Sequence, residues 1–353
     1  MNIDFIGKSK TQGQLASMMF NTSVGAMKPF IGKDGKPYMT VHMGGNPADL
    51  KNYKTVLADY ATLRKDEWKQ LDQAVLDISR TRLNGVQDLI DNGLVYNLGN
   101  PMGTTILETE EVGDAFTADL TMDGIPRARN DRVEYGINYL PIPIIHVDYQ
   151  INTRVLNASR SLGRALDATQ AEVAARKVAE KLETMLFTDT SYTFGGGTIY
   201  SYISHPDINL VTLAANWDAS AKTASAILAD VIAMKQANID AKHYGPYMLY
   251  IPTSYETVLD EDYDTTTPGT TIRERLLKIS NIKGIKVVDT LTADTCLLVQ
   301  MSTDVVRLVN GMAIQNVEWK SEGKFVTNYK VMTIQVPQIR SDANNASGIV
   351  KLA

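Results

Sequence analysis

Apolar residues change their spacing several times along the 353-residue chain, and each change marks a different kind of element. Residues 1–60 show no sustained period. Isolated apolar residues alternate with glycines and lysines, and Gly32 to Pro37 and Gly44-Gly45-Asn46-Pro47 read as turns. Such a stretch promises no core of its own, so we expect an extended arm that needs another surface to lie on. The first strong helix follows: Trp68, Leu71, Val75, Ile78, Val86 and Ile90 recur every three or four residues. Asp66 and Glu67 sit where the helix dipole favours negative charge, and Asn92-Gly93 supplies a left-handed stop.

The period then shortens. Thr104 to Glu111 and Ala115 to Met122 read as strands separated by Gly113. Asp123-Gly124 marks a turn, Arg127 to Asp131 is polar, and Val133 to Tyr139 leads back. This antiparallel excursion has too few apolar residues for a core, and two strands alone are marginal in water, so it too should need a partner. Helical spacing returns after Asp167, with Gln170 in capping-box position. Ala171, Ala174, Val178, Leu182 and Met185 form one stripe of a helix from Ala168 to Phe187, about 30 Å long at ~1.5 Å per residue. Small residues on two of its faces predict close packing on more than one side. Phe194 to Gly197 is a glycine turn, and Ala224, Ile227, Val231 and Met234 mark another amphipathic helix. Short strands and helices then alternate over Tyr247 to Ile251, Arg273 to Ile279, Ile285 to Val288, Cys296 to Met301 and Val305 to Val309. A long strand-like run, Phe325 to Val336, follows. The fold class is α+β.

Composition narrows the function. An apolar share of 44% and a charged share of 21% describe a folded protein. The most apolar stretch, Tyr139 to Val147, is broken by Pro141 and Pro143, well short of the roughly 18 apolar residues of a membrane span. Met1 to Phe5 lack the basic start and apolar run of a signal peptide, so synthesis is expected in the cytoplasm. The one cysteine, Cys296, excludes a disulfide framework and a cysteine zinc cluster, and its run Thr295 to Val299 reads as a buried strand. A net charge of −5 argues against a generic nucleic-acid binder. The charge is uneven: Lys8, Lys10, Lys28, Lys33, Lys36, Lys51, Lys54, Arg64, Lys65 and Lys69 crowd the first 70 residues, against six acids.

No catalytic constellation emerges. His42, His146, His205 and His243 do not pair at metal-ligand spacing, and Phe194-Gly195-Gly196-Gly197-Thr198 lacks the ending of a Walker loop. Asp260, Glu261, Asp262 and Asp264 form the densest acidic cluster, without the glycine and distal glutamate of an EF-hand. It continues into Thr265-Thr266-Thr267-Pro268-Gly269 and is expected to be a solvated loop. Lys28, Lys33, Lys36, Lys51 and Lys54 of the arm either pair with acidic protein surfaces or face nucleic-acid phosphates, and the residues alone leave both readings open.

Four segments carry a resemblance: Leu63-Arg64-Lys65-Asp66-Glu67-Trp68-Lys69-Gln70-Leu71-Asp72 with Arg80-Thr81-Arg82-Leu83, Leu140-Pro141-Ile142-Pro143-Ile144-Ile145-His146, Leu166-Asp167-Ala168-Thr169-Gln170-Ala171-Glu172, and Tyr244-Gly245-Pro246-Tyr247. In this order they are similar to the encapsulin-like branch of tailed-bacteriophage capsid proteins of the Hong Kong 97 type. The resemblance implies an N-terminal arm over 1–65, a first helix of the peripheral domain over 66–100, and an extended loop over 101–150. A spine helix of the peripheral domain follows over 151–200, then an axial domain over 201–300 and a return to the peripheral domain over 301–353. It implies no enzyme and no cofactor or metal, but a shell of hexamers and pentamers enclosing double-stranded DNA without sequence specificity. Portal, scaffold and decoration proteins would be its partners, with no membrane. The product would be made in the host bacterial cytoplasm and end in the virion. The acidic cluster would lie in the axial domain near a capsomer opening, and Arg127, Arg129, Asn130 and Asp131 would form the tip of the extended loop. The alternative within the resemblance is an encapsulin compartment holding a cargo enzyme; encapsulins usually start close to the first helix, whereas more than sixty residues precede Trp68 here.

Some members of that family weld their shells with isopeptide bonds from a lysine on the extended loop. No lysine occurs between Lys69 and Lys177. Assembled particles should therefore release intact monomer on a denaturing gel, and a ladder of covalent multimers would contradict this.

Overall fold

In the computed structural model, the described residues are 28–43, 50–58, 61–82, 84–112, 122, 135–162, 168–188, 191–263, 269–319, 325–341 and 345–353. Near the N-terminus, β1 (Phe30–Ile31), β2 (Pro37–His42) and β3 (Tyr53–Leu57) pair antiparallel in that order. The part of the arm described is thus a small sheet. The expected first helix is two helices, α1 (Lys65–Arg82) and α2 (Asn84–Asp91). Trp68, Leu71, Val75, Val86 and Leu89 are buried, but Ile90 is exposed, the inward position in that turn being Leu89. The glycine stop is a Schellman turn. Gly93 has φ 71° and donates to Ile90 O, and the amide of buried Leu94 reaches Leu89 O.

β4 (Val95–Asn97) leads to β5 (Ile106–Val112) and β6 (Tyr135–Pro141), an antiparallel pair with Ile106 opposite Pro141 and Val112 opposite Tyr135. This is the stem of the expected excursion; the strand expected at Ala115 to Met122 falls almost wholly outside the described residues. β7 (Ile145–Asn152) runs into a helix the spacing did not reveal, α3 (Thr153–Ser161), capped by the Asn152 side chain on Arg154 N. The spine is α4 (Thr169–Phe187). Its N-cap is Ala168, without a side-chain bond, so the expected start one residue earlier is corrected. Ala171, Ala174, Ala175, Val178, Ala179, Leu182 and Leu186 are all buried, as small residues on two faces require. Gly195 and Gly196, at φ 60° and 84°, turn β8 (Tyr192–Phe194) back into β9 (Gly197–Ile199).

The remaining elements are β10 (Asn209–Val211), α5 (Ala224–Asp240), β11 (Tyr247–Pro252), α6 (Glu256–Leu259), α7 (Ile272–Leu277), β12 (Ile282–Val288), β13 (Cys296–Gln300), β14 (Val306–Trp319), β15 (Val326–Ile339) and β16 (Ile349–Leu352). Two sheets organise them. The five-stranded sheet runs β10-β16-β13-β11-β12 and the four-stranded sheet runs β4-β14-β15-β7. The expected return of 301–353 as one block differs at β16, which sits between β10 and β13 rather than beside β14 and β15. Cys296, with its thiol pushed up by burial, lies inside that sheet as expected. One face of the four-stranded sheet meets α1 and α4 through Trp68, Ala175, Leu182, Tyr329 and Val331. Leu140, Ile142, Met185, Ile199, Met332 and Ile334 form a separate apolar cluster.

Buried carboxylates lie at two of these junctions. Glu183 of α4 accepts from Gly85 N (3.1 Å) at the start of α2, where the helix dipole favours an anion. A side chain at Gly85 would collide with the Phe187 ring, so the backbone of α2 lies directly against side chains of α4. Burial, opposed by these amides, still pushes Glu183 up to about 7. Glu318 near the end of β14, hydrogen-bonded to the Thr62 hydroxyl, is likewise raised to about 7 by burial. A raised carboxylate binds its proton more tightly folded than unfolded, so stability falls as pH rises from about 4.5 to 7 and recovers on acidification. We expect the unfolding free energy from urea denaturation to increase from pH 8 to pH 5.5, by about 2 kcal/mol per group at most. The Glu183→Gln/Glu318→Gln variant should flatten that rise, measured by denaturation across the range; an unchanged slope would contradict it.

Candidate subunit-contact site

The arm is pinned to its own helix. Lys28 Nζ meets both oxygens of Asp72 at 2.9 and 3.0 Å and lies 5.6 Å from the centre of the Trp68 ring, whose Nε1 donates to Pro29 O at 2.9 Å. Ile31 N donates to Leu63 O, and Phe30 is buried with the Lys65 ammonium 4.6 Å from its ring. Burial raises Asp72 although Lys28 pulls it down. Nearby, Arg160 joins Glu67 at 2.6 Å and Thr62 O at 2.7 Å, and holds Glu67 below its ordinary value against the cost of burial.

The five arm lysines do not form one patch. Lys28 is committed to Asp72. Lys33 and Lys36 are exposed on the β1–β2 turn, closed by Gly32 N to Lys36 O at 2.8 Å. Lys51 and Lys54 are exposed at the other end of the sheet, where Lys54 pairs across from Val41. The acidic cluster is a loop held at its base. Asp260 meets Arg273 Nε at 3.1 Å, Asp262 bridges Thr271, and Ile272 N donates to Glu261 O. Asp260, Glu261 and Asp262 are exposed, and no group of three His, Cys, Asp or Glu side chains could hold a metal among the described residues. Asp264, Arg127, Arg129, Asn130 and Asp131 lie outside the described residues. Of the histidines, His146 is 3.5 Å from Asp148, and burial lowers His205. Among the described residues no helix is long and apolar enough to cross a membrane.

Sequence reasoning expected the stem but not which of its residues are left bare. Gly136, Ile137, Asn138 and Tyr139 are all exposed, and Ile137 and Tyr139 share a face with Glu110 and Glu108 across the pair. Ile137 and Tyr139 were legible as strand residues, but nothing in the sequence marks them as ones the fold leaves bare. The stem base is held by Ile142 N to Thr105 O and by Gln338 Nε2 to Thr109 Oγ1, and Gly197 presses on the backbone of Tyr139.

The model of a family described as a family of unknown function (DUF6260) matches residues 58–352. The chain belongs to that family. The match begins after β3, so the arm sheet lies ahead of it. No curated protein matches the chain. Among solved structures this member is similar to the virus-like particle from Pyrococcus furiosus, at TM-score 0.60 and 18% identity over 81% of this chain and 99% of that one. It is also similar to the capsid of Myoviridae phage XM1, at TM-score 0.58 and 7% identity over 76% and 91%. The capsid of an empty GTA particle gives TM-score 0.50 and 11% identity over 76% and 90%. The fold is the Hong Kong 97 type capsid fold.

The clasp on the arm is testable. Lys28→Met leaves Asp72 without its cation, and breaking a buried pair from one side costs about 3–5 kcal/mol. Lys28→Met/Asp72→Leu should recover much of that loss in urea unfolding. A double variant no better than the single one would mean that the pair matters for another reason.

Proposed function

We propose that the chain is the major capsid protein of a tailed bacteriophage, self-assembling into an icosahedral head that encloses double-stranded DNA. The observation that carries this reading is the stem, a two-stranded projection on a capsid-type fold with its outer residues Gly136 to Tyr139 exposed. Two strands are not stable alone in water, so this projection gains from lying on another molecule. A surface that gives on one side and receives on the other makes head-to-tail contacts, which close into rings of five and six. In this reading the arm is 1–65, the extended loop 101–150 and the axial domain about 201–300, with the acidic loop at 260–264 near a capsomer opening. The first helix, the spine helix and 301–353, apart from β16, form the peripheral domain. Portal, scaffold and decoration proteins complete the virion. The role is mechanical rather than enzymatic.

The likeness to the Pyrococcus furiosus particle, covering 99% of that chain, favours a second reading, a cellular compartment around a cargo enzyme. The arm sheet ahead of the matched region tilts the choice to the phage. Negative-stain microscopy of the expressed full chain should show uniform hollow particles; monodisperse monomer under all conditions would sink both shell readings. Terminase and portal genes beside the coding sequence would decide for the phage, and a neighbouring cargo protein with a docking tail would decide against it.

A further inference from the structure

The subunit's two projections differ in charge and leave the β14–β15 ribbon at its two ends. At one end Thr62, just ahead of α1, bonds Glu318, and β1 hangs from the adjacent Leu63. At the other end Gln338, paired with Arg307, donates to Thr109 of the stem. Positions 307 and 318 lie on one strand, which at ~3.3 Å per residue separates the attachment points by roughly 35 Å.

The stem strands hold Glu108, Glu110 and Glu111 and no lysine or arginine. Their exposed face adds Ile137 and Tyr139, 56% and 41% accessible. The arm offers the counterpart. Lys33 and Lys36 are exposed on the turn beside Leu57, 63% accessible, since Ala58 N donates to Pro37 O and brings the end of β3 to the turn. Asp34 between the lysines is already engaged, by the Tyr38 hydroxyl at 2.7 Å and by Lys36 N.

We infer that the Lys33, Lys36 and Leu57 end of one subunit's arm sheet seats on the Glu108, Glu110, Ile137 and Tyr139 face of the stem of a second copy. The inference rests on the shell reading and names which two surfaces meet. Leu57 against Ile137 and Tyr139 supplies the apolar burial. The charges add little energy each at an exposed rim, but they select register, because a like-charged alignment is penalised. Donor and acceptor surfaces on opposite ends make the contact heterologous, the kind that propagates around a ring.

The test is a charge swap in the full chain, at exposed positions, with folding checked by circular dichroism. Glu108→Lys/Glu110→Lys and Lys33→Glu/Lys36→Glu should each lower the fraction of protein sedimenting as particles by about tenfold, and the four changes together should restore most of it. Full assembly of either reversed pair, or a combined variant no better than its parents, overturns the contact. So does a lysine variant that assembles normally but loses enclosed DNA. If the wild-type chain forms no particles, the shell reading fails, and the contact is read by mixing a Lys36→Cys chain with a Glu110→Cys chain and a short bismaleimide. Native Cys296 is buried and stays silent. A cross-linked dimer containing one of each chain supports the contact; its absence overturns it.

Discussion

The antiparallel pairing of β14 with β15 is the constraint on which the rest of the subunit depends. It runs from Val306 opposite Ile339 to Trp319 opposite Asn328, with register shifts near Met312. Strands of fourteen residues each are long for a globular protein. They stay in register because both faces are covered: the helices α1 and α4 lie on one side, and the stem base and β9 join the Met332 and Ile334 cluster. Each projection is fastened to this ribbon, by Glu318 and Thr62 at one end and by Gln338 and Thr109 at the other. The ribbon is therefore a ruler that fixes how far apart the attachments of the arm and of the stem stand.

The sequence was legible where burial is periodic. Trp68, Leu71 and Val75, the alanine stripe from Ala171 to Ala179, and Ile227, Val231 and Met234 announced their helices because one face of each is fully buried. The strand run from Phe325 to Val336 was legible by its length and composition instead, since β15 is buried on both faces. What stayed hidden depends on partners distant in the chain. Nothing near Thr153 marks a helix until the Asn152 cap is in place, and nothing near Ile349 says that its neighbours are Val299 and Asn209's strand. The arm was read as needing a foreign surface because its apolar residues are sparse. Its first attachment is a cation and an indole, Lys28 on Asp72 and Trp68 on the backbone of Pro29, which hydrophobic spacing does not register.

The candidate contact site was legible in outline only. Lysine enrichment pointed to the arm, but its five lysines divide into one buried anchor and two exposed pairs at opposite ends of the sheet. The acidic run from Asp260 stood out by density, yet its base is closed by Arg273 and by backbone bonds to Thr270 and Ile272. The glutamates of β5 were less conspicuous and are set beside exposed Ile137 and Tyr139. A charge gains meaning for assembly from the apolar surface next to it, and that neighbourhood is created by strand pairing.

The place of β16 has a consequence for biosynthesis. Residues 349–352 fill the slot between β10 and β13, so both of those strands wait for the last part of the chain described here. Until that segment has emerged from the ribosome, the slot presents open strand edges, the kind of surface that pairs indiscriminately with other chains. A nascent chain therefore cannot complete this sheet until translation has passed residue 352.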